Sequence, residues 1–179
     1  MLSTHNIVIL PVAWDHPDGI HLRNLQRTEI AVLGGLEPGI PPSAADVPVF
    51  LVAYCNDIPV GCGGLRPLSS PPDGVLIDAA EIKRMFVDTA YRGPLNLPKG
   101  SRGTIAELIL ERLEGEALER GWSLLLLETG TFLAKARRFY ERRGFVQRDM
   151  FGDYNEADNS VCYEKRLASA QMASITSPS

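Results

Sequence analysis

At 179 residues, with 45% apolar and 22% charged residues and a mean hydropathy of -0.03, the chain has the make-up of one folded domain and excludes a disordered or fibrous protein. A formal charge of -4 and a pI near 5.4 argue against a nucleic-acid partner, whose footprint needs a basic stripe. No stretch approaches the roughly 18 uninterrupted apolar residues of a membrane helix, and the start MLSTHNIVIL lacks the basic region and cleavage site of a secretory signal, so the expectation is no membrane and a cytoplasmic address.

Ile7 to Trp14 is a short apolar run that reads as a strand, and Asp15 to Leu33 follows as a helix burying Ile20, Leu22, Leu25, Ile30 and Leu33. Gly34 to Pro48 is so rich in glycine and proline that no long regular element can run through it. Val49 to Tyr54 and Val60 to Leu68 flank the turn Asn56-Asp57-Ile58-Pro59 and predict an antiparallel hairpin. After a Ser/Pro/Gly turn, Val75 to Val87 predicts a long central strand. Strict alternation puts Glu81, Lys83, Met85 and Val87 on one face and Ile82, Arg84 and Phe86 on the other.

Thr104 to Arg120 carries Ile105, Leu108, Ile109, Leu113 and Ala117 at helical spacing, with Gly121 as the stop. SLLLLET, Ser123 to Thr129, is too short for a buried helix and reads as a core strand. Thr131 to Arg143 is helical, with Gly144 ending it. Phe145 to Met150 and Val161 to Leu167 close the pattern as two strands, and the Ala/Ser-rich residues from Ala168 on read as a disordered tail. Strand, helix, three strands, helix, strand, helix, two strands predicts a single layered α/β domain over residues 1–167. Cys55, Cys62 and Cys162 are odd in number and lack metal-ligand spacing, so they are read as reduced packing residues and no metal is expected. His5, His16 and His21 form no metal pattern either.

The run AEIKRMFV, then TAYRG, a helix, LLLETG and ARRFYERRGF resembles the GNAT superfamily of acetyl-CoA-dependent N-acetyltransferases, in detail over residues 49 to 167. That resemblance implies a mixed, mostly antiparallel central sheet of about seven strands with helices on both faces. It also implies acetyl-CoA as co-substrate and an amine as acceptor, and it admits a homodimer. In the family the strand equivalent to Ala80 to Val87 splays from the next one, and its free backbone groups pair with the pantetheine arm as a missing strand would. Met85, Phe86 and Val87 match that stretch.

Glu81 matches the place of a family general base, and its other reading is a surface carboxylate paired with Lys83 or an arginine. Tyr140 matches the tyrosine that protonates the departing thiolate, and its other reading is a core aromatic beside Leu133 and Ala136. The family's pyrophosphate loop, [Q/R]xxGx[G/A], is disturbed. Arg92-Gly93 stands where it should open, Pro94 to Gly100 interrupts, and Ser101-Arg102-Gly103-Thr104-Ile105-Ala106 leads into the helix. Backbone N–H groups of Arg102, Gly103, Thr104, Ile105 and Ala106 are expected to face the phosphates, with Lys99 or Arg102 adding charge and Thr104 crowding where the family has glycine. Leu133 stands near the asparagine of many members.

Two rivals are weighed against this reading. A dinucleotide-binding domain would need a Gly-rich turn after an early strand, and none is present. A non-catalytic acyl-CoA-binding module would keep the fold without turnover. For the enzyme, a small amine is preferred to a peptide or protein amine. The acceptor side is placed in the first helix, the Pro-rich loop and Phe151 to Asn159.

Overall fold

The computed structural model describes residues 6–35, 37–69, 78–96 and 102–168, with Asn96 and Arg102 described by backbone alone. The part of the expected strand before Asp78, the residues Lys99 and Ser101, and the tail beyond Ala168 lie outside the described residues. In chain order the elements are β1 (Ile7–Pro11), α1 (Pro17–Val32), β2 (Val49–Cys55), β3 (Ile58–Leu68), β4 (Ala79–Val87), β5 (Leu95–Asn96) and β6 (Arg102–Gly103). They continue with α2 (Ile105–Glu119), β7 (Leu124–Gly130), α3 (Ala134–Arg142), β8 (Val146–Arg148) and β9 (Ser160–Arg166).

Local chemistry sets the ends of these elements. Pro17 opens α1 at a position whose N–H has no helical partner, and the His16 ring accepts from the Asp18 N–H. Thr104 and Glu107 form a reciprocal capping box at the start of α2. Gly121 and Gly144 take φ of +79° and +86° just past α2 and α3, a conformation that would strain a side chain there. The β2–β3 hairpin turns on Asn56 and Asp57, both at positive φ, and β3 begins at Ile58.

Seven strands form one sheet in the order β1-β2-β3-β4-β7-β9-β8. Only β4 and β7 run parallel among its pairs, so the sheet is mixed and mostly antiparallel, as the family resemblance implies. One face carries α2 and α3, where Ile105, Ile109, Leu110 and Leu113 pack with Leu125, Leu127 and Tyr140 in the main core. The opposite face carries α1, whose Leu22 packs on Phe50, Val52, Cys62 and Phe86. Leu124 and Leu126 also face that side and meet Phe151 and Tyr154. Each fully buried aliphatic side chain contributes about 1.5–3 kcal/mol relative to exposure. All three cysteines are buried and unbridged.

The strict alternation expected along β4 does not hold. The register runs Cys62↔Phe86 and then Gly64↔Lys83, so Arg84 and Met85 together oppose Gly63. This is a β-bulge, and Arg84 sits in it at φ +57°. The extra residue reverses the facing of everything after it. Met85 and Val87 join Ile82 in the main core, while Phe86 joins the side of Glu81 and Lys83. A Cβ at position 63 would stand 3.0 Å from the Met85 sulfur, so glycine there lets Met85 pack towards α2. Among the described residues, no helix is long and apolar enough to cross a membrane.

Candidate active site

β4 and β7 pair only through Ala79–Glu81 with Leu124–Leu126, although β4 continues to Val87 and β7 to Gly130. The two strands therefore diverge, and a cleft of about 160 Å³ opens in the fork. Its walls include Ile82 to Met85 of β4, Glu128 to Gly130 of β7, Tyr140 of α3, Gln26 and Ile30 of α1, and Glu37 to Pro42 of the Pro-rich loop. Asp158 adds the segment before β9. All three stretches expected on the acceptor side thus meet at one place.

Tyr140 lies in this wall, 6% exposed, in edge contact with Phe139 and Phe145 at centroid distances of 5.2 and 5.4 Å. Burial among these rings raises its phenol pKa, so the hydroxyl holds its proton throughout the neutral range. The packing reading of this residue holds, and the same ring borders the cleft.

Glu81 is fully buried, and both oxygens are engaged. Arg66 donates to Oε2 through Nη2 at 2.6 Å and Nε at 3.1 Å. Lys83 Nζ at 3.1 Å and the Tyr154 hydroxyl at 2.5 Å donate to Oε1. Arg66 also reaches the Ile40 carbonyl and Asp46 in the Pro-rich loop, so the buried carboxylate joins that loop and the Tyr154 segment to β4. The pairing with Lys83 and an arginine, foreseen as the other reading of Glu81, is present in the interior instead of at the surface.

Glu128, like Glu37 and Asp158 and unlike Glu81, does border the cleft. Ser160 Oγ donates to its Oε1 at 2.7 Å. Its pKa is raised, chiefly by burial and further by the charges of Glu81 and Asp158, against the lowering effects of Ser160 and Lys83. The sequence held one signal for it, a lone charge in the otherwise apolar run LLLLET. For the engagement of Arg66 with Glu81 it held none.

The Met85 carbonyl accepts from Gln26 Nε2 at 2.9 Å, and the Val87 carbonyl accepts from Arg92 Nε at 2.7 Å. Each carbonyl keeps a second lone pair. The Phe86 ring is buried against α1. Arg92 is further held by Glu29 of α1 through paired contacts of 2.9 and 2.6 Å.

At the start of α2, Thr104 has extended φ and ψ of -114° and 155°, which any residue adopts. Its hydroxyl accepts from the Glu107 N–H at 3.2 Å, and Glu107 Oε2 accepts from the Thr104 N–H at 2.8 Å. Thr104 is thus a helix cap, where crowding was expected. One N–H assigned to phosphate already faces an internal carboxylate. Ile105 is a core residue, Ala106 packs partly against the core, and Gly103 pairs with Leu95 in the ribbon of β5 and β6. That ribbon is the stem of the insertion seen in the sequence. The α2 terminus carries an acidic group, Glu107, beside the place expected for phosphate.

Comparison with known proteins agrees with this arrangement. Residues 46–147 match the acetyltransferase (GNAT) domain family. The chain is 38% identical over 118 residues to an IAA acetyltransferase of Azospirillum brasilense, covering 66% of this chain and 67% of that one. It is 34% identical over 120 residues to the uncharacterized N-acetyltransferase YsnE of Bacillus subtilis, covering 66% and 69%. A Klebsiella pneumoniae structure assigned as an acyl-CoA N-acyltransferase superposes with a TM-score of 0.69 at 28% identity, over 90% of this chain and 98% of that one. The diverging strands, the cleft they enclose and these likenesses converge: the chain belongs to the GNAT acetyltransferase family and is an acyltransferase.

Proposed function

We propose that this protein transfers the acetyl group of acetyl-CoA to a primary amine of a small molecule held in the fork between β4 and β7. The observation that carries the reading is the divergence of these strands beyond Glu81 and Leu126, with Tyr140 and Glu128 both in the walls of the resulting cleft. The coenzyme supplies an activated acetyl thioester. Met85, Phe86 and Val87 offer backbone groups to its pantetheine arm, and the N–H groups of Gly103, Ile105 and Ala106, with Arg92, stand on the phosphate side.

An ammonium group must lose a proton before it can attack. Glu128 is favoured as the acceptor of that proton because it borders the cleft, and burial raises its basicity above that of an ordinary carboxylate. Glu81 supports the site differently, holding Lys83, Arg66 and Tyr154 in place. Tyr140, kept protonated by burial, gives its proton to the departing thiolate.

A small acceptor is favoured over a peptide because Glu37 to Pro42 lie along the cleft and are tied to β4 by the Arg84–Glu37 contact and to β3 by the Arg66–Ile40 contact. A thiol-release screen of small amines and of peptides with free amino termini tests this. Turnover confined to peptides would overturn the small-acceptor reading.

A further inference from the structure

Two polar atoms in residues of the cleft wall are buried, and neither has a hydrogen-bond partner among the described residues: Gln26 Oε1 and Arg84 Nε. The orientation of the Gln26 amide follows from chemistry. The Met85 carbonyl can only accept, so the amide nitrogen must face it, at 2.9 Å, and Oε1 must turn away from it. Arg84 is held as firmly. Its Nη1 and Nη2 each donate to the Glu37 carboxylate, with Nη2–Oε2 at 3.0 Å, while the Nε–H is left without a partner among the described residues. Arg84 is presented from the β4 bulge at φ +57°, an unfavourable conformation for a side chain of its size. A buried polar atom without a partner is destabilising, and native proteins leave few of them. Here one acceptor and one donor belong to two side chains that border the same cleft, each fixed by a second contact.

The charges along that wall are of both signs. Lys83 and Arg84 come from β4, while Glu37, Glu128 and Asp158 come from the Pro-rich loop, β7 and the segment before β9. A polyamine would meet two cations there, and a dicarboxylate would meet three anions. A molecule carrying one ammonium and one carboxylate matches both.

We infer that Gln26 Oε1 and Arg84 Nε–H together recognise an acceptor with a carboxylate beside its amine, an amino-acid-type substrate. This rests on the acetyl-transfer reading above. Gln26 takes an N–H of the amine and Arg84 donates to the carboxylate. Glu37 and the Met85 carbonyl act as positioning groups for the two side chains.

The test uses matched acceptors with acetyl-CoA and thiol-release kinetics: alanine against ethylamine, and phenylalanine against phenethylamine, each pair differing only by the carboxylate. The intact protein is compared with Arg84→Lys, which keeps a positive charge but has no donor at the Nε position, and with Gln26→Leu. In the parent, kcat/KM for the amino acid should exceed that for the plain amine by about tenfold to a hundredfold, the range of a hydrogen bond to a charged group. In Arg84→Lys that ratio should fall towards one. In Gln26→Leu the acceptor KM should rise in both series, while the acetyl-CoA Kd by calorimetry stays at the parent value. A melting curve for each variant confirms that it folds.

Equal or better use of the plain amines by the parent overturns the inference and leaves the acetyltransferase reading standing. So does a ratio unmoved in folded Arg84→Lys. An acetyl-CoA Kd that weakens in Gln26→Leu as much as the acceptor KM assigns Gln26 to the coenzyme and overturns its part. Failure of the parent to bind acetyl-CoA at all overturns the functional reading and this inference together.

Discussion

Replacing Glu81 by glutamine separates an electrostatic hub from a proton acceptor. The carboxylate is 1% exposed and is shared by Arg66, 15% exposed, and Lys83, 13% exposed. Glutamine keeps an oxygen for Tyr154 but removes the negative charge between two mostly buried cations. Arg66 retains Asp46 at 3.3 Å, whereas Lys83 keeps the Tyr154 hydroxyl at 2.6 Å. Breaking a buried pair from one side costs about 3–5 kcal/mol, and the surviving Asp46 contact places this case near about 3 kcal/mol. For a domain of this size, at roughly 2–4 °C per kcal/mol, the melting temperature should fall by about 6–12 °C.

Kinetics then distinguish the two carboxylates. Because Glu128 remains, the acidic limb of the kcat/KM profile of Glu81→Gln should persist, lying above the ordinary carboxylate range. In Glu128→Gln that limb should disappear. Calorimetry across pH adds the sign. The folded pKa of Glu128 is raised, so its contribution to stability is complete below the unfolded pKa and is lost as pH rises through the folded one. Glutamine lacks that loss, so Glu128→Gln should gain on the parent as pH rises from the ordinary carboxylate range through the raised folded pKa. A Glu81→Gln protein that melts within about 2 °C of the parent and has lost its acidic limb would refute this assignment and return the base to Glu81.

Tyr140→Phe keeps the edge contacts with Phe139 and Phe145 while deleting the hydroxyl, so kcat should drop within the roughly 10² to 10⁴ range of general acid catalysis and melting should barely move; parent-like kcat would leave Tyr140 a packing residue. Acetyl-CoA should raise the melting temperature, since a hundredfold excess over Kd stabilises the native state by about 2.7 kcal/mol. No shift at millimolar ligand would contradict binding in the fork. Glu107→Ala removes the carboxylate at the start of α2, and acetyl-CoA should bind up to about fivefold more tightly, most clearly at low salt, despite about 1 kcal/mol of lost capping. An unchanged Kd by calorimetry would place the phosphates away from this helix terminus.

Most of the architecture is legible in the chain because it follows from local periodicity. Leu108 to Ala117 repeats at helical spacing and lies in α2; SLLLLET, Ser123 to Thr129, supplies all but the last residue of β7. Gly121 and Gly144 end helices, and Asn56-Asp57 turns a hairpin, because each carries its own conformational preference. The family pattern then placed Tyr140 at the cleft, since FYERRGF fixes both the helix register and its stop. What periodicity could not contain was the bulge at Arg84. One unpaired residue reverses the facing of Met85, Phe86 and Val87, and it arises from the fit of β3 and Gly63 against β4. The contrast between the surroundings of Glu81 and Glu128 was equally hidden. It depends on Arg66, Lys83 and Tyr154, of which only Lys83 is near Glu81 in sequence, converging on one carboxylate while the other is left beside the cleft. Short-range preference is written residue by residue, but electrostatic partnership is decided only when distant segments share the same few ångströms.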